Sequence, residues 1–290
     1  YRTTIHENMY DSFENANFGP VVDFSGYLDG LNGSPVPVVL LQGDLTADLT
    51  LVDGTIYEVL GTLRITSGVT LTIAQGAVLR FDGAANTLLN EGALLIQGTE
   101  NNPAILTSGQ EAPAVGDWGG IVSAVTASMT VIQYAEISYA NYGVSFAPGS
   151  SLTGTIACDT LCVKNSLLES NNTGLFIDDS DPWVERNVIQ NNLDDGIYLN
   201  NASPNIRTNT IRVNGNNGGD DAGIDIRGTS SPSITDGNQI SGNSRYGIYV
   251  YGSQTSGGDP APVITGNGIY DNTNYDFYAY NFFDAANVTL

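Results

Sequence analysis

The sequence predicts an all-β solenoid, a chain wound into stacked coils of short parallel strands. Three observations carry this. The C-terminal half repeats one pattern, with prolines at 182, 204, 232 and 262, so the period is 22 to 30 residues. Apolar residues alternate over two or three steps before Asn or Gly breaks the run, and no stretch shows a helical period. Gly and Asn, 34 and 29 of 290 residues, tolerate φ > 0, so the chain turns often.

The elements follow in order. Residues 1–37 do not repeat, and they carry aromatic and acidic residues around Gly19-Pro20-Val21-Val22-Asp23-Phe24. A solenoid end exposes unpaired strand edges, so this segment is read as a cap or arm, and 38–290 as the solenoid. Opening coils are read at Gly61-Thr62-Leu63-Arg64-Ile65, Val69-Thr70-Leu71-Thr72-Ile73, Ala77-Val78-Leu79-Arg80-Phe81 and Gly92-Ala93-Leu94-Leu95-Ile96. A weak repeat follows at Cys162, Asn165, Leu167, Gly174, Leu175 and Ile177. The clear units begin at Pro182, Val184, Asn187, Ile189, Asn192, Gly196, Ile197 and Leu199, and recur three times. Equivalent strands stack at about 4.8 Å per coil, with the apolar residues inward. The repeated asparagines form a ladder in which each amide bonds the next and satisfies turn backbone groups. Residues 275–283 form an aromatic edge, covered either by Asp284 to Leu290 or by another molecule.

The pattern Pro-x-Ile-x-x-Asn-x-Ile, then Asn, then Gly-Ile-x-Ile, resembles the right-handed parallel β-helix repeat, most clearly over 160–281. That family includes secreted polysaccharide lyases and hydrolases, tail spikes, adhesins and surface proteins. The resemblance implies a three-sheet right-handed solenoid. It is specific for fold and says little about function, which sits on the outer face.

Nine basic and 31 acidic residues give a net charge of −22. That excludes a nucleic-acid binder and docking on anionic lipid. No apolar run approaches the ~20 residues that span a bilayer. Cys158 and Cys162 fit a small disulfide loop or two free thiols, and no further Cys or nearby His completes a metal site.

Three candidate sites stand out. Asp194-Asp195 and Asp220-Asp221 precede Gly196 and Gly223, which places the pairs at one turn of neighbouring coils. Stacked carboxylates need a cation, a proton or solvent, so the pairs are a candidate calcium site, weighed against a plain solvated acidic loop. The same four residues with Arg227 are the catalytic candidates, because paired carboxylates perform glycoside hydrolysis. An Asp-Asp pair on this fold resembles part of a polygalacturonase motif, but the Gly-His-Gly segment is missing. The only histidine is His6 and the only lysine is Lys164, so the acid–base inventory is thin. The third candidate is an aromatic face. In Gly-Ile-x-Ile strands the intervening residue points outward, which gives Phe176, Tyr198, Asp225, Tyr249 and Tyr278 on successive coils. Two residues further on come Asp178, Asn200, Arg227, Tyr251 and Tyr280. Such a face suits a protein contact or a glycan, or serves only cross-strand stacking.

These readings predict a non-catalytic extracellular structural or adhesive protein of a cell surface or matrix, self-associating end to end through the solenoid ends. The alternatives are a polysaccharide lyase or glycoside hydrolase, and a carbohydrate-binding module that holds a polysaccharide or cell-surface glycan on the tyrosine face.

Overall fold

A computed structural model describes residues 27–28, 35–147, 149, 152–216, 218–253 and 258–281, and none of them is helical. The expected cap at 1–37 therefore lies almost wholly outside the described residues. Of it, only Tyr27–Leu28 pairing antiparallel with Pro35–Val36 is described. The aromatic edge is described as far as residue 281.

From Val38–Leu45 onward the chain forms the expected three-ladder parallel β-helix. The first ladder runs through the opening halves of Val38–Leu45 and Ile56–Ile65, then Val78–Phe81, Ala104–Ser108, Ala135–Ser138, Leu167–Glu169, Val188–Gln190, Thr210–Arg212, Gln239–Ser241 and Gly268–Tyr270. The second takes the closing halves of the same two long strands. It then runs from Thr87–Asn90 through Trp118–Ser123, Ala140–Phe146, Thr173–Asp178, Ile197–Asn200, Ala222–Arg227 and Tyr246–Tyr251 to Tyr275–Tyr280. The third has nine strands, from Leu49–Leu51 to Val263–Ile264. Every pairing within these ladders is parallel, each strand with its equivalent one coil away.

Strands stay short because, from Tyr134 onward, a residue in the left-handed region turns the corners on either side of the first ladder. From third ladder to first these are Tyr134, Asn165, Arg186, Thr208 and Asp236, at φ between 51° and 59°. From first to second they include Tyr139, Ser170, Asn191, Val213 and Asp271. Thr208 and Val213 are β-branched, a residue class for which this conformation is a true outlier. The stacked coils on either side impose it.

The repeated asparagines do a different job. Asn171, Asn192, Asn214, Asn243 and Asn272 each follow a left-handed residue and form one row, buried as far as Asn243. Ser166, Asn187, Asn209, Asn238 and Asn267 form a second row at the other corner. Within a row, each Nδ2 donates to the Oδ1 of the next coil at 2.8–3.2 Å, and also back to a backbone carbonyl. The same Oδ1 accepts the backbone N–H of the preceding asparagine, for example Asn187 to Asn209 at 2.9 Å. This closes the hydrogen-bonding need of buried corners that no strand pairing reaches.

Glycine recurs at the start of the second ladder for a steric reason. A Cβ on Gly174, Gly196 or Gly223 would lie 2.6–2.7 Å from the carbonyl oxygen of the next coil. The interior is filled by one continuous apolar column, with Phe81 and Trp118 stacked at 4.0 Å inside it. Cys158 and Cys162 form a disulfide, covered by Val131, Met129 and Trp183 on the outside of the third ladder.

Candidate functional site

The outer face of the second ladder brings most of the expected residues together. Phe176 pairs with Tyr198, Tyr198 with Asp225, Asp225 with Tyr249, and Tyr249 with Tyr278, so the outward column is in the expected register. Tyr142 stands one coil before it, with its ring 4.8 Å from Phe176, and Phe176 stacks on Tyr198 at 5.1 Å. Beyond Asp225 the aromatic cover resumes and widens: Tyr246 lies 4.9 Å from Tyr249 and 5.2 Å from Tyr278, and Tyr251 lies 6.0 Å from Tyr280.

The outward residues are not equally open. Tyr249 is 2% exposed and Asp225 1%, because Tyr246, Tyr251, Tyr278 and Arg227 close over them. Tyr249 therefore supports the face from beneath. Phe176, Tyr198, Tyr251 and Tyr278 are partly exposed, and Tyr275 and Tyr280 are more than half exposed. Tyr142 and Tyr246 were not placed on this face from the sequence, although each stands immediately before the glycine that opens the second-ladder repeat.

Arg227 joins the two halves of the face. Its guanidinium makes a bidentate contact with Asp225 at 2.8–3.1 Å and lies 5.5–5.8 Å from the ring centres of Tyr198, Tyr249 and Tyr251. Such cation–π contacts fix the guanidinium in place.

The acidic turn is assembled differently from the expectation. Ala222 intervenes between Asp221 and Gly223, so the two pairs are offset by one residue. Asp194 shares a side-chain hydrogen bond with Asp221, while Asp195 accepts the backbone N–H of Ala222 at 2.7 Å. Asp221 also accepts from the N–H of Gly218 at 3.0 Å. Asp220 turns away to an ion pair with Arg245 at 2.9 Å. Of the four carboxylates expected to share a calcium ion, Asp194 and Asp221 are thus in contact, while Asp195 and Asp220 have partners of their own. Among the described residues no three His, Cys, Asp or Glu side chains are grouped to hold a metal.

Asp225, one ladder position further along, replaces Asp220 in the acidic pocket. Burial pushes the Asp194 carboxyl up to about 6, helped by its hydrogen bond to Asp221 and the nearby charge. Burial also raises Asp225 to about 6, although Arg227 pulls the other way. Asp195 is pushed well above the usual range by burial and by the charges of Asp225 and Asp194. The pocket is therefore a set of carboxyl groups that take up protons in mildly acidic solution, set into an aromatic face. Lys164, the only lysine, pairs with Glu185 at 2.7 Å on the third ladder, away from this pocket.

Among the described residues there is no helix long and apolar enough to cross a membrane. Among curated proteins none matches the sequence. Of the similar solved structures, the enzymatically active domain of bacteriophage CBA120 tailspike protein 2 is 12% identical, with a TM-score of 0.40 over 82% of this chain and 38% of its own. The Dettilon tailspike protein is 15% identical, with a TM-score of 0.38 over 83% of this chain and 61% of its own. The A-module of the Azotobacter vinelandii mannuronan C-5 epimerase AlgE6 is 12% identical, with a TM-score of 0.29 over 84% of this chain and 91% of its own. This chain spans less than two thirds of either tailspike, and at these scores the likenesses carry no argument about activity. The family described as a pectate-lyase-like β-helix domain matches residues 43–157. The family described as a right-handed β-helix region matches residues 119–290, more than half of the chain. With its three parallel ladders and asparagine rows, the chain belongs to the right-handed β-helix family.

Proposed function

We propose that this chain is an extracellular adhesive protein that binds a polysaccharide along the outer face of the second ladder. One observation carries the reading: aromatic side chains line the second ladder from Tyr142 to Tyr198 and again from Tyr246 to Tyr280, and Arg227 on the coil between them is fixed against both groups. Stacked rings turn their edges and hydroxyls outward, a row of donors and acceptors spaced by one coil. That spacing is close to the length of one pyranose ring, so an extended glycan meets aromatic surface on either side of the charged step at Asp225 and Arg227. The partly open rings of Tyr251, Tyr278 and Tyr280 add apolar surface for the C–H faces of sugars. A disulfide suits an oxidising, extracellular compartment.

The test is a glycan array probed with the whole chain, followed by affinity measurements on the best glycan with Tyr251→Ala and Tyr280→Ala. Both side chains lie outside the core, and loss of about tenfold or more in affinity is expected from an aromatic contact residue. Binding to no glycan, or unchanged affinity in both variants, overturns the reading.

A second reading, cleavage of the bound glycan, is favoured by the raised carboxyls of Asp194 and Asp225 beside Arg227. Acids poised near neutrality are what a general acid requires. An assay for new reducing ends and for unsaturated products decides it, with Asp194→Asn as the comparison.

A further inference from the structure

A cleft of about 350 Å³ lies on a different part of the surface, where the third ladder turns into the first. One wall is the tight turn 99–102, closed by reciprocal backbone bonds between Thr99 and Asn102 at 3.1 and 3.2 Å. Asn102 anchors that turn to Asp53 at 3.1 Å. The opposite wall is the corner column Tyr134, Asn165 and Arg186, each held in the left-handed conformation that turns its side chain off the corner. Glu136 and Leu167, paired on neighbouring strands of the first ladder, form the floor. Both walls are thus fixed by backbone geometry.

The polar groups of the cleft are unusually free. Among the described residues, no hydrogen bond or ion pair engages the side chains of Glu100, Tyr134, Glu136 or Asn165. Arg186 has one contact, a 3.5 Å pair with Glu185. Elsewhere on the first ladder outward polar groups do pair across coils, Thr107 with Ser138 at 2.9 Å and Gln190 with Glu169 at 2.8 Å. Two carboxylate acceptors, an amide, a phenol and a guanidinium converge beside the apolar surfaces of Tyr134, Pro103 and Leu167. This is the donor–acceptor set that vicinal hydroxyls need, next to a surface suited to the C–H face of a sugar ring. The volume, at the low end of small-molecule sites, takes one or two rings.

We propose that this corner cleft is a second saccharide site, separate from the tyrosine face, that binds a mono- or disaccharide unit in pyranose form. The proposal stands on its own residues and does not depend on glycan binding at the second ladder. The experiment is an amide-resolved NMR titration of the whole chain with D-glucose, D-galactose, N-acetyl-D-glucosamine and cellobiose, each to millimolar concentration. At least one should shift the amides of Thr99, Glu100, Glu136, Asn165 and Arg186 together. Tyr134→Asn keeps a residue type that already occupies this corner at position 165, and Glu136→Gln keeps the side-chain shape. Each should weaken the titration about fivefold or more, as loss of a stacking or charged contact does, with the rest of the spectrum unchanged. Tyr280→Ala should leave it unaltered, which separates this site from the tyrosine face. No shift with any of the four sugars, shifts elsewhere, undiminished binding in both variants, or loss on Tyr280→Ala overturns the proposal.

Discussion

The carboxylate of Asp276 accepts the side-chain amide of Asn272 at 2.9 Å and its backbone N–H at 3.2 Å. These are the two bonds that every earlier asparagine of the row makes to the asparagine of the next coil, as Asn243 does to Asn272 at 2.9 and 3.1 Å. Asp276 also stands where Gly174, Gly196, Gly223 and Gly247 stand on earlier coils. Those glycines make room for the carbonyl of a following coil. Asp276 thus supplies the missing rung and adds a Cβ where another coil would have to lie.

Asp276→Ala should therefore loosen the last coil. Hydrogen exchange of the Tyr275–Tyr280 amides is expected to quicken while the central coils stay protected, for a loss of about 1–2 kcal/mol. Sedimentation of the parent chain over a wide concentration range should show one species near 30.6 kDa. A concentration-dependent polymer would contradict the closing role of Asp276.

Asn209→Ala should cost far more. It leaves the backbone N–H and Nδ2 of Asn187 without the acceptor they share, at 2.9 and 3.0 Å, and removes the donor to Val184 and Asn238. Each buried polar group left unpaired costs about 1–3 kcal/mol, so a loss of about 3 kcal/mol or more is expected in urea unfolding. Asn209→Asp restores the acceptor alone and should recover little.

Gly196→Ala tests the close approach of the coils. The added methyl meets the Gly223 carbonyl oxygen at 2.6 Å and has the Ile211 and Asn214 side chains within 2.9 Å. Backbone cannot yield as a side chain does, so destabilisation of about 2 kcal/mol or more should appear as a lowered unfolding midpoint. An unchanged midpoint would show that the coils separate more readily than their packing implies.

The acidic pocket makes stability depend on pH in a stated direction. Asp194 and Asp225 titrate near 6 in the folded chain, above the roughly 3.9 of an unfolded aspartate. The folded chain therefore holds more protons than the unfolded one between about pH 4 and 6. The contribution of these groups is fully present below about pH 4, declines as pH rises through 6, and is absent above. Urea midpoints from pH 4 to 8 should fall across that window. Asp194→Asn should flatten the fall and raise the midpoint at neutral pH, which separates the pocket from the general repulsion of a chain of net charge −22.

How legible all this was in the sequence depends on whether a feature recurs. The inward Ile and Val, the asparagine rows and the register of Phe176, Tyr198, Asp225, Tyr249 and Tyr278 repeat at each coil, so the period alone exposed them. The left-handed corners did not look like turns, since Tyr134, Thr208 and Val213 carry no turn chemistry. Stacking on both sides overrides their preference. The offset of Asp194 against Asp221 turned on one inserted residue, Ala222. The covering of Tyr249 depends on Tyr246, Arg227 and Tyr278, which come from three different coils. For Tyr142 and Tyr246 a signal did exist, the recurring Tyr-Gly step at the start of the second ladder.

The asparagine rows have one further consequence. Their partners are never distant, since each bond from one asparagine side chain to the next links residues 21 to 29 positions apart, one coil to the next. A nascent segment thus meets its hydrogen-bonding partners in the coil laid down just before it. The molecule can assemble in sequence order, each new coil templated by the last.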